Sequence, residues 1–170
     1  MSGQETGDKR QGTGEKREIL ISPQLSREIV DHCRSQYPKE ACGILAGLHT
    51  LPTGQEQHVV QVYPMTNADN SPVGYSMDPK EQLLIEKAMR QRGQRMIGVY
   101  HSHTATAAYP SPVDVQLAIS PDISYVLVSL KNENHPDFFS YRINGSHIFK
   151  EDVAYYEMTP GGVIRRVGTS

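Results

Sequence analysis

The chain has no tryptophan, only three phenylalanines and only two cysteines among its 170 residues. Two thiols, Cys33 and Cys42, cannot make a disulfide framework and lack zinc-finger spacing. Reduced cysteines in a cytoplasmic protein are the simplest reading. No unbroken apolar run is long enough to span a bilayer, and the N-terminus lacks the apolar stretch of a secretory signal. A cytoplasmic protein with no membrane partner is therefore expected. An excess of one charge is also missing. The 17 basic and 19 acidic residues leave a formal net charge of -2, which argues against a protein held to nucleic acid mainly by phosphate contacts. What remains suffices for a core: 37% of residues are apolar and 21% charged, the composition of an ordinary globular domain.

Residues 1–17 hold Gly, Gln, Thr and charges of both signs, with no apolar residue after Met1. Such a stretch cannot bury enough surface to offset the entropy of ordering it, and it reads as a mobile N-terminal tail. Residues 18–157 read as one domain and 158–170 as a C-terminal tail, in which Gly161-Gly162 is a turn. Inside the domain the pattern is mixed α/β. Glu18–Ile21 is a short strand. Ser22-Pro23 supplies a cap and a first-turn proline for a helix whose face carries Leu25, Ile29 and Cys33 and which ends at Tyr37-Pro38. Ala41–Ala46 and Gln57–Tyr63 are strands separated by a turn with Pro and Gly. Asp78-Pro79-Lys80-Glu81 repeats the helix-start pattern as a capping box, with Leu83, Leu84, Ile85 and Ala88 as the buried side and Gly93 as the stop. Met96–His103 is a strand, Ser111-Pro112 opens a short helix bearing Val115 and Ala118, and Ser124–Leu130 is a central strand. Phe138–Ile143 and Ser146–Phe149 flank Asn144-Gly145, a type I′ hairpin signal. This alternation predicts a helix-sheet-helix sandwich, with strands of mixed direction.

Chemistry concentrates between Val99 and Asp114. In a strand, residues i and i+2 share a face, so His101 and His103 project together, on the side predicted to carry Ile97 and Val99. Two adjacent imidazoles at the end of a core strand suit a zinc site, although a His-x-His pair alone is also compatible with two ordinary histidines. Asp114 strengthens the metal reading. Ser111-Pro112-Val113-Asp114 puts its carboxylate in the first turn of a helix, where the dipole favours the ionised form. His101, His103 and Asp114 make a His₂Asp set that leaves the fourth tetrahedral position open. The same helix grammar recurs at Ser22-Pro23 and Asp78-Pro79, so Asp114 also reads as a plain cap. A hydrolytic site needs a base outside the coordination shell. Glu40, at the mouth of the strand Ala41–Ala46, is the candidate, but spacing does not place it near His101.

The order Glu40, His101-Ser102-His103, seven residues, then Ser111-x-x-Asp114 resembles the JAMM motif of MPN-domain metalloproteases. All four elements are present in order and spacing, and the similarity runs from about Glu18 to Tyr156. Glu40-Ala-Cys-Gly and His-Ser-His-Thr-Ala-Thr-x-Ala-Tyr-Pro-Ser look most like a bacterial branch whose members release cysteine from the C-terminus of a ubiquitin-like sulfur-carrier protein. The resemblance implies a cytidine-deaminase-like α/β fold with one zinc ion per chain, liganded by His101, His103 and Asp114. Glu40 is then the general acid/base, and Ser111 assists the oxyanion. The implied partner is a carrier with a Gly-Gly tail, which has no side chains and suits a narrow groove. Trimming of a carrier precursor and a non-catalytic binding module are the alternative readings. Thr104–Pro110 is expected to line the mouth, with Tyr109 available for packing. Cys42 reads as core, although period two puts it on the face of Glu40. Ser102 should face away from the histidines. His32, His49, His58, His135 and His147 have no partner spacing, and Pro-Cys-x-x-Cys, which base deamination requires, does not occur.

Overall fold

The computed structural model describes residues 18–49, 56–158 and 164–169. The segment read as a mobile tail, the turn with Pro52 and Gly54, and Gly161-Gly162 lie outside the described residues. In chain order the elements are β1 (Glu18–Ile21), α1 (Pro23–Gln36), β2 (Cys42–Leu48), β3 (Glu56–His58), β4 (Gln61–Met65), α2 (Pro79–Gln91), β5 (Gln94–His103), α3 (Pro112–Gln116), β6 (Ser124–Ser129), β7 (Asp137–Asn144), β8 (His147–Met158) and β9 (Ile164–Thr169). No helix among the described residues is long and apolar enough to cross a membrane.

The strands form one mixed sheet in the order β3-β1-β8-β7-β6-β5-β2-β4, with β9 paired to β8. The pairs β1–β3, β1–β8 and β5–β6 are parallel and the others antiparallel. Strands β3 and β4 sit at opposite ends of this order, yet only Val59 and Val60 separate them in sequence. The sheet therefore curls until its two ends meet. The Val59 N–H donates to the Leu20 carbonyl at 2.8 Å and the Val60 N–H to the Ala46 carbonyl at 2.8 Å. The single strand expected over Gln57–Tyr63 is thus two strands, broken where the chain passes from one sheet end to the other.

Helix α1 begins as its sequence requires, with Ser22 Oγ accepting from the Leu25 N–H at 3.1 Å. Its Ile29 and Cys33 pack on one face of the curled sheet against Ile19, Ile21, Leu45, Ile97 and Tyr100. Helix α2 covers part of the other face, where Met89 and Ile85 meet Cys42, Ile44, Ala46 and Met65. Burial of each large aliphatic side chain contributes about 1.5–3 kcal/mol before entropy is counted. The buried side of α2 differs from expectation. Leu83 and Leu84 are 63% and 68% exposed, because the helix rests on the i, i+4 pair Ile85 and Met89. Asp78 caps α2 through the Lys80 and Glu81 amides, but Glu81 does not complete a capping box. The Asp78 N–H already donates to the Thr66 carbonyl, and Glu81 accepts the Thr66 N–H at 2.7 Å instead.

Three further differences concern the strands. Leu45 pairs with Gly98 and Ala46 with Met96, so Ile97 is an extra residue in β5. Such a bulge reverses the alternation on its N-terminal side. Ile97 accordingly packs on the α1 face, whereas Val99 shares the other face with Leu127 and Tyr125. In the β7–β8 hairpin Asn144 pairs with His147, which leaves Gly145 and Ser146 as the loop, with Gly145 at φ 57°. A Gly-first loop is the II′ arrangement, not the I′ turn expected from Asn-Gly. Ile164–Thr169, read as part of a C-terminal tail, pairs with β8 as β9, and Arg166 makes two hydrogen bonds to Glu18 at 2.9 and 2.7 Å.

Candidate metal centre

The end of β5 carries the two histidines. Period two holds beyond the bulge, so His101 and His103 share a face, while Tyr100 turns to the α1 side. Both imidazoles are buried, at 2% and 6% exposure. Asp114 arrives on α3 through a reciprocal cap: Ser111 Oγ accepts from the Asp114 N–H at 3.2 Å, and Asp114 Oδ2 accepts from the Ser111 N–H at 2.7 Å. The cap and the site are one device. It fixes the carboxylate so that Oδ1 lies 3.1 Å from His101 Nε2 and Oδ2 3.4 Å from His103 Nε2.

The two Nε2 atoms are themselves 3.1 Å apart. Four ligands about 2.0–2.1 Å from a tetrahedral zinc ion are separated from one another by about 3.3 Å. The two imidazoles and the Asp114 carboxylate, each imidazole facing a different carboxylate oxygen at 3.1 or 3.4 Å, converge on the scale of such a coordination shell. His103 Nδ1 donates to the Ala107 carbonyl at 2.9 Å, so the neutral ring presents the Nε2 lone pair inward, and the protonated ring instead turns an Nε2–H toward Asp114. The Ala107 carbonyl is the outer partner that orients a metal-binding imidazole. The His101 ring is held differently. It stacks on Tyr75, centroids 4.7 Å apart and planes at 29°, and its buried Nδ1 has no hydrogen-bond partner among the described residues. His101, His103 and Asp114 can thus hold a divalent cation, with donors that suit zinc.

Electrostatics sorts the carboxylates. Burial pushes the Asp114 carboxyl up, but hydrogen bonds from His101, His103 and Ser111 outweigh it and hold the group well below the usual carboxylate range. Burial also opposes protonation of His103, yet Asp114, the Ala107 carbonyl and Glu40 more than compensate and raise it. His101, fully enclosed, is lowered by burial despite Asp114. Glu40 is different in kind. Burial raises it to about 7, with His103 pulling it down and Asp114 pushing it up.

The fold brings Glu40 into the same cleft as both histidines, Ser111 and Asp114, a cavity of about 610 Å³. The gap in sequence is bridged by Ser102, which faces away from the histidines as expected. Its Oγ accepts the Ala41 N–H at 2.8 Å, and its own N–H donates to the Ala41 carbonyl at 3.0 Å. The residue between the two histidines thereby clasps the residue after Glu40. Cys42 is fully buried under α2, and burial pushes its thiol up to about 12, the setting of a core residue rather than a nucleophile. Thr104–Thr106 line the cleft, while Tyr109 lies edge-on to Tyr141, centroids 5.6 Å apart. Tyr75 was not legible as a site residue, because nothing in the spacing of 66–78 signals that its ring covers His101.

A carboxyl whose folded pKa lies above its unfolded value is fully tolerated below about pH 4.3 and destabilises increasingly as the pH rises toward the folded value. Metal-free protein with Glu40→Gln is therefore expected to be more stable than metal-free wild type at pH 8, by on the order of 1–3 kcal/mol. The gap should close near pH 4. Thermal melts at both pH values check this, and an equal gap at both would show that Glu40 does not titrate as described.

The sequence pattern of "Prokaryotic homologs of the JAB domain" matches residues 22–144. A CysO-cysteine peptidase from Mycobacterium tuberculosis is 42% identical over 142 residues, 82% of this chain and 92% of that protein. A desampylase from Haloferax volcanii is 33% identical over 116 residues, 65% of this chain and 80% of that protein. The solution structure of a protein from Desulfitobacterium hafniense has a TM-score of 0.74 at 38% identity, covering 84% of this chain and 96% of that one. With the family pattern spanning the elements from α1 to β7, the chain belongs to the prokaryotic JAB (MPN) domain family that its motif resembles.

Proposed function

We propose that this JAB-domain hydrolase is a cytoplasmic zinc metallopeptidase that cuts the amide bond at the C-terminus of a ubiquitin-like sulfur-carrier protein and releases L-cysteine. The observation that carries this reading is the convergence of His101, His103 and Asp114 with Glu40 in the same cleft. Likeness to the CysO-cysteine peptidase supports the choice of substrate.

In this reading His101, His103 and Asp114 hold the zinc ion. Zinc supplies Lewis acidity to the scissile carbonyl and to the attacking water. Glu40, a buried carboxyl with a pKa of about 7, takes the proton from water and returns it to the leaving amine, since a group poised near neutrality serves both directions. Ser111 Oγ already accepts the Asp114 N–H, so its own proton is free to point at the developing oxyanion. A Gly-Gly tail enters between 72–76 and 104–106, the two segments that line the cleft beside the histidines. A carrier–cysteine conjugate incubated with zinc-loaded protein and weighed by mass spectrometry should lose one cysteine and end in Gly-Gly. A conjugate that stays intact while a carrier with a longer C-terminal extension is trimmed would transfer the reading to precursor processing.

A further inference from the structure

Residues 66–78, between β4 and α2, form an irregular loop closed at its base by an isolated bridge between Asn67 and Met77. The loop supplies one wall of the cleft, Pro72 to Met77, and it carries the Tyr75 ring that covers His101. At its base, the Asn67 side chain uses both ends. Its Nδ2 donates to the Glu40 carbonyl and to the Gly74 carbonyl, each at 3.0 Å. Its Oδ1 accepts the Asp69 and Ser76 N–H groups, each at 3.1 Å. These four bonds are the full donor count of an amide plus both acceptor sites.

Glu40 needs such support. It precedes β2, which starts at Cys42, so its main chain has no ladder partner of its own. Its N–H donates to the Ser71 carbonyl at 2.9 Å, and its carbonyl accepts from Asn67. Both main-chain groups of Glu40 are therefore held by the loop that forms the cleft wall. We infer that Asn67 is a positioning residue, which pins the Glu40 backbone to the Tyr75 loop and so fixes the Glu40 carboxylate beside the metal ligands. The inference rests on the proton-carrying role proposed for Glu40. Asparagine is specific here: aspartate has the same shape and keeps both acceptor bonds, but it turns a carboxylate oxygen toward the Glu40 and Gly74 carbonyls, which each accept a hydrogen bond from Asn67 Nδ2. Misplacing a reacting group by about 1 Å can cost ~10²-fold in rate.

The test is a pair of readouts on the full chain. By NMR hydrogen exchange on metal-free protein, N67D should speed exchange of the Glu40 amide at least ~10-fold and leave the Ala41 amide, held by Ser102, unchanged. An unchanged Glu40 amide overturns the inference. In the zinc-loaded enzyme, N67D should lower kcat by ~10–100-fold with zinc content retained, and should cost less than ~3-fold when added to E40Q, because it acts through Glu40. An equal loss in both backgrounds overturns it, since Asn67 would then act independently of Glu40. Should N67D not fold, N67A, which removes the pin without the repulsion, carries the same expectations. If E40Q itself retains full activity, it is the proposed function that fails, and the Glu40 amide, bonded to Ser71, still reports whether Asn67 holds the loop against Glu40.

Discussion

Glu40→Gln is expected to bind zinc with undiminished stoichiometry and to hydrolyse its substrate ~10²–10⁴-fold more slowly, the loss typical of a missing general acid/base. The physical basis is the division of labour among the carboxylates. Asp114 is anchored by its cap and by two imidazoles and is held ionised. Glu40 shares the cleft but makes no part of the three-donor cluster. Glutamine keeps the shape and polarity of the side chain and removes its ability to carry a proton. The substitution therefore isolates proton transfer from metal binding. Elemental analysis and single-turnover rates on the same preparation decide the matter, and full activity in this variant would remove Glu40 from the mechanism.

His101→Ala and Asp114→Ala should behave in the opposite way, losing metal and activity together. Each supplies one of three converging donor groups, and removing one leaves only two to hold a cation. The drop in affinity should exceed the 10–100-fold typical of a lost outer partner. Zinc per chain should fall from about one to near zero after dialysis against a weak chelator, with activity falling in proportion. The two variants should differ in the fold. Asp114→Ala also removes the acceptor of the Ser111 N–H and leaves only half of the reciprocal cap, at a cost of about 0.5–1.5 kcal/mol, whereas the smaller side chain of His101→Ala leaves a void beneath Tyr75. Undiminished zinc in both would contradict the ligand assignment.

Much of this centre was legible because its parts obey local rules. Strand alternation sets His101 and His103 side by side, and helix-capping chemistry delivers Asp114, each within a few residues of chain. The helix starts at Ser22 and Ser111 were equally plain. What stayed hidden depends on partners distant in sequence. The clasp between Ser102 and Ala41 exists because β2 lies against β5, a pairing that no local pattern announces. The Ile97 bulge shifts one strand against its neighbour and so defeats a period count made on one strand alone. Leu83 and Leu84 misled because three apolar residues in succession on a helix, here with Ile85, fan across more than half of its circumference, and only the position of the sheet selects among them. The break between β3 and β4 is set by the closing of the curl. The chain around Val59 looks like continuous strand until both ends of the sheet are in place.

The sheet order has a last implication for how a peptide can be read. Strand β5 lies between β2 and β6, and its pairing reaches His101 on one side and His103 on the other. A guest chain therefore finds no vacant backbone row on the strand that bears the imidazoles, and augmentation of the sheet at that point is barred. Recognition of a guest chain thus falls to the irregular walls of the cleft, Pro72 to Met77 and Thr104 to Thr106, rather than to the strand that carries the imidazoles.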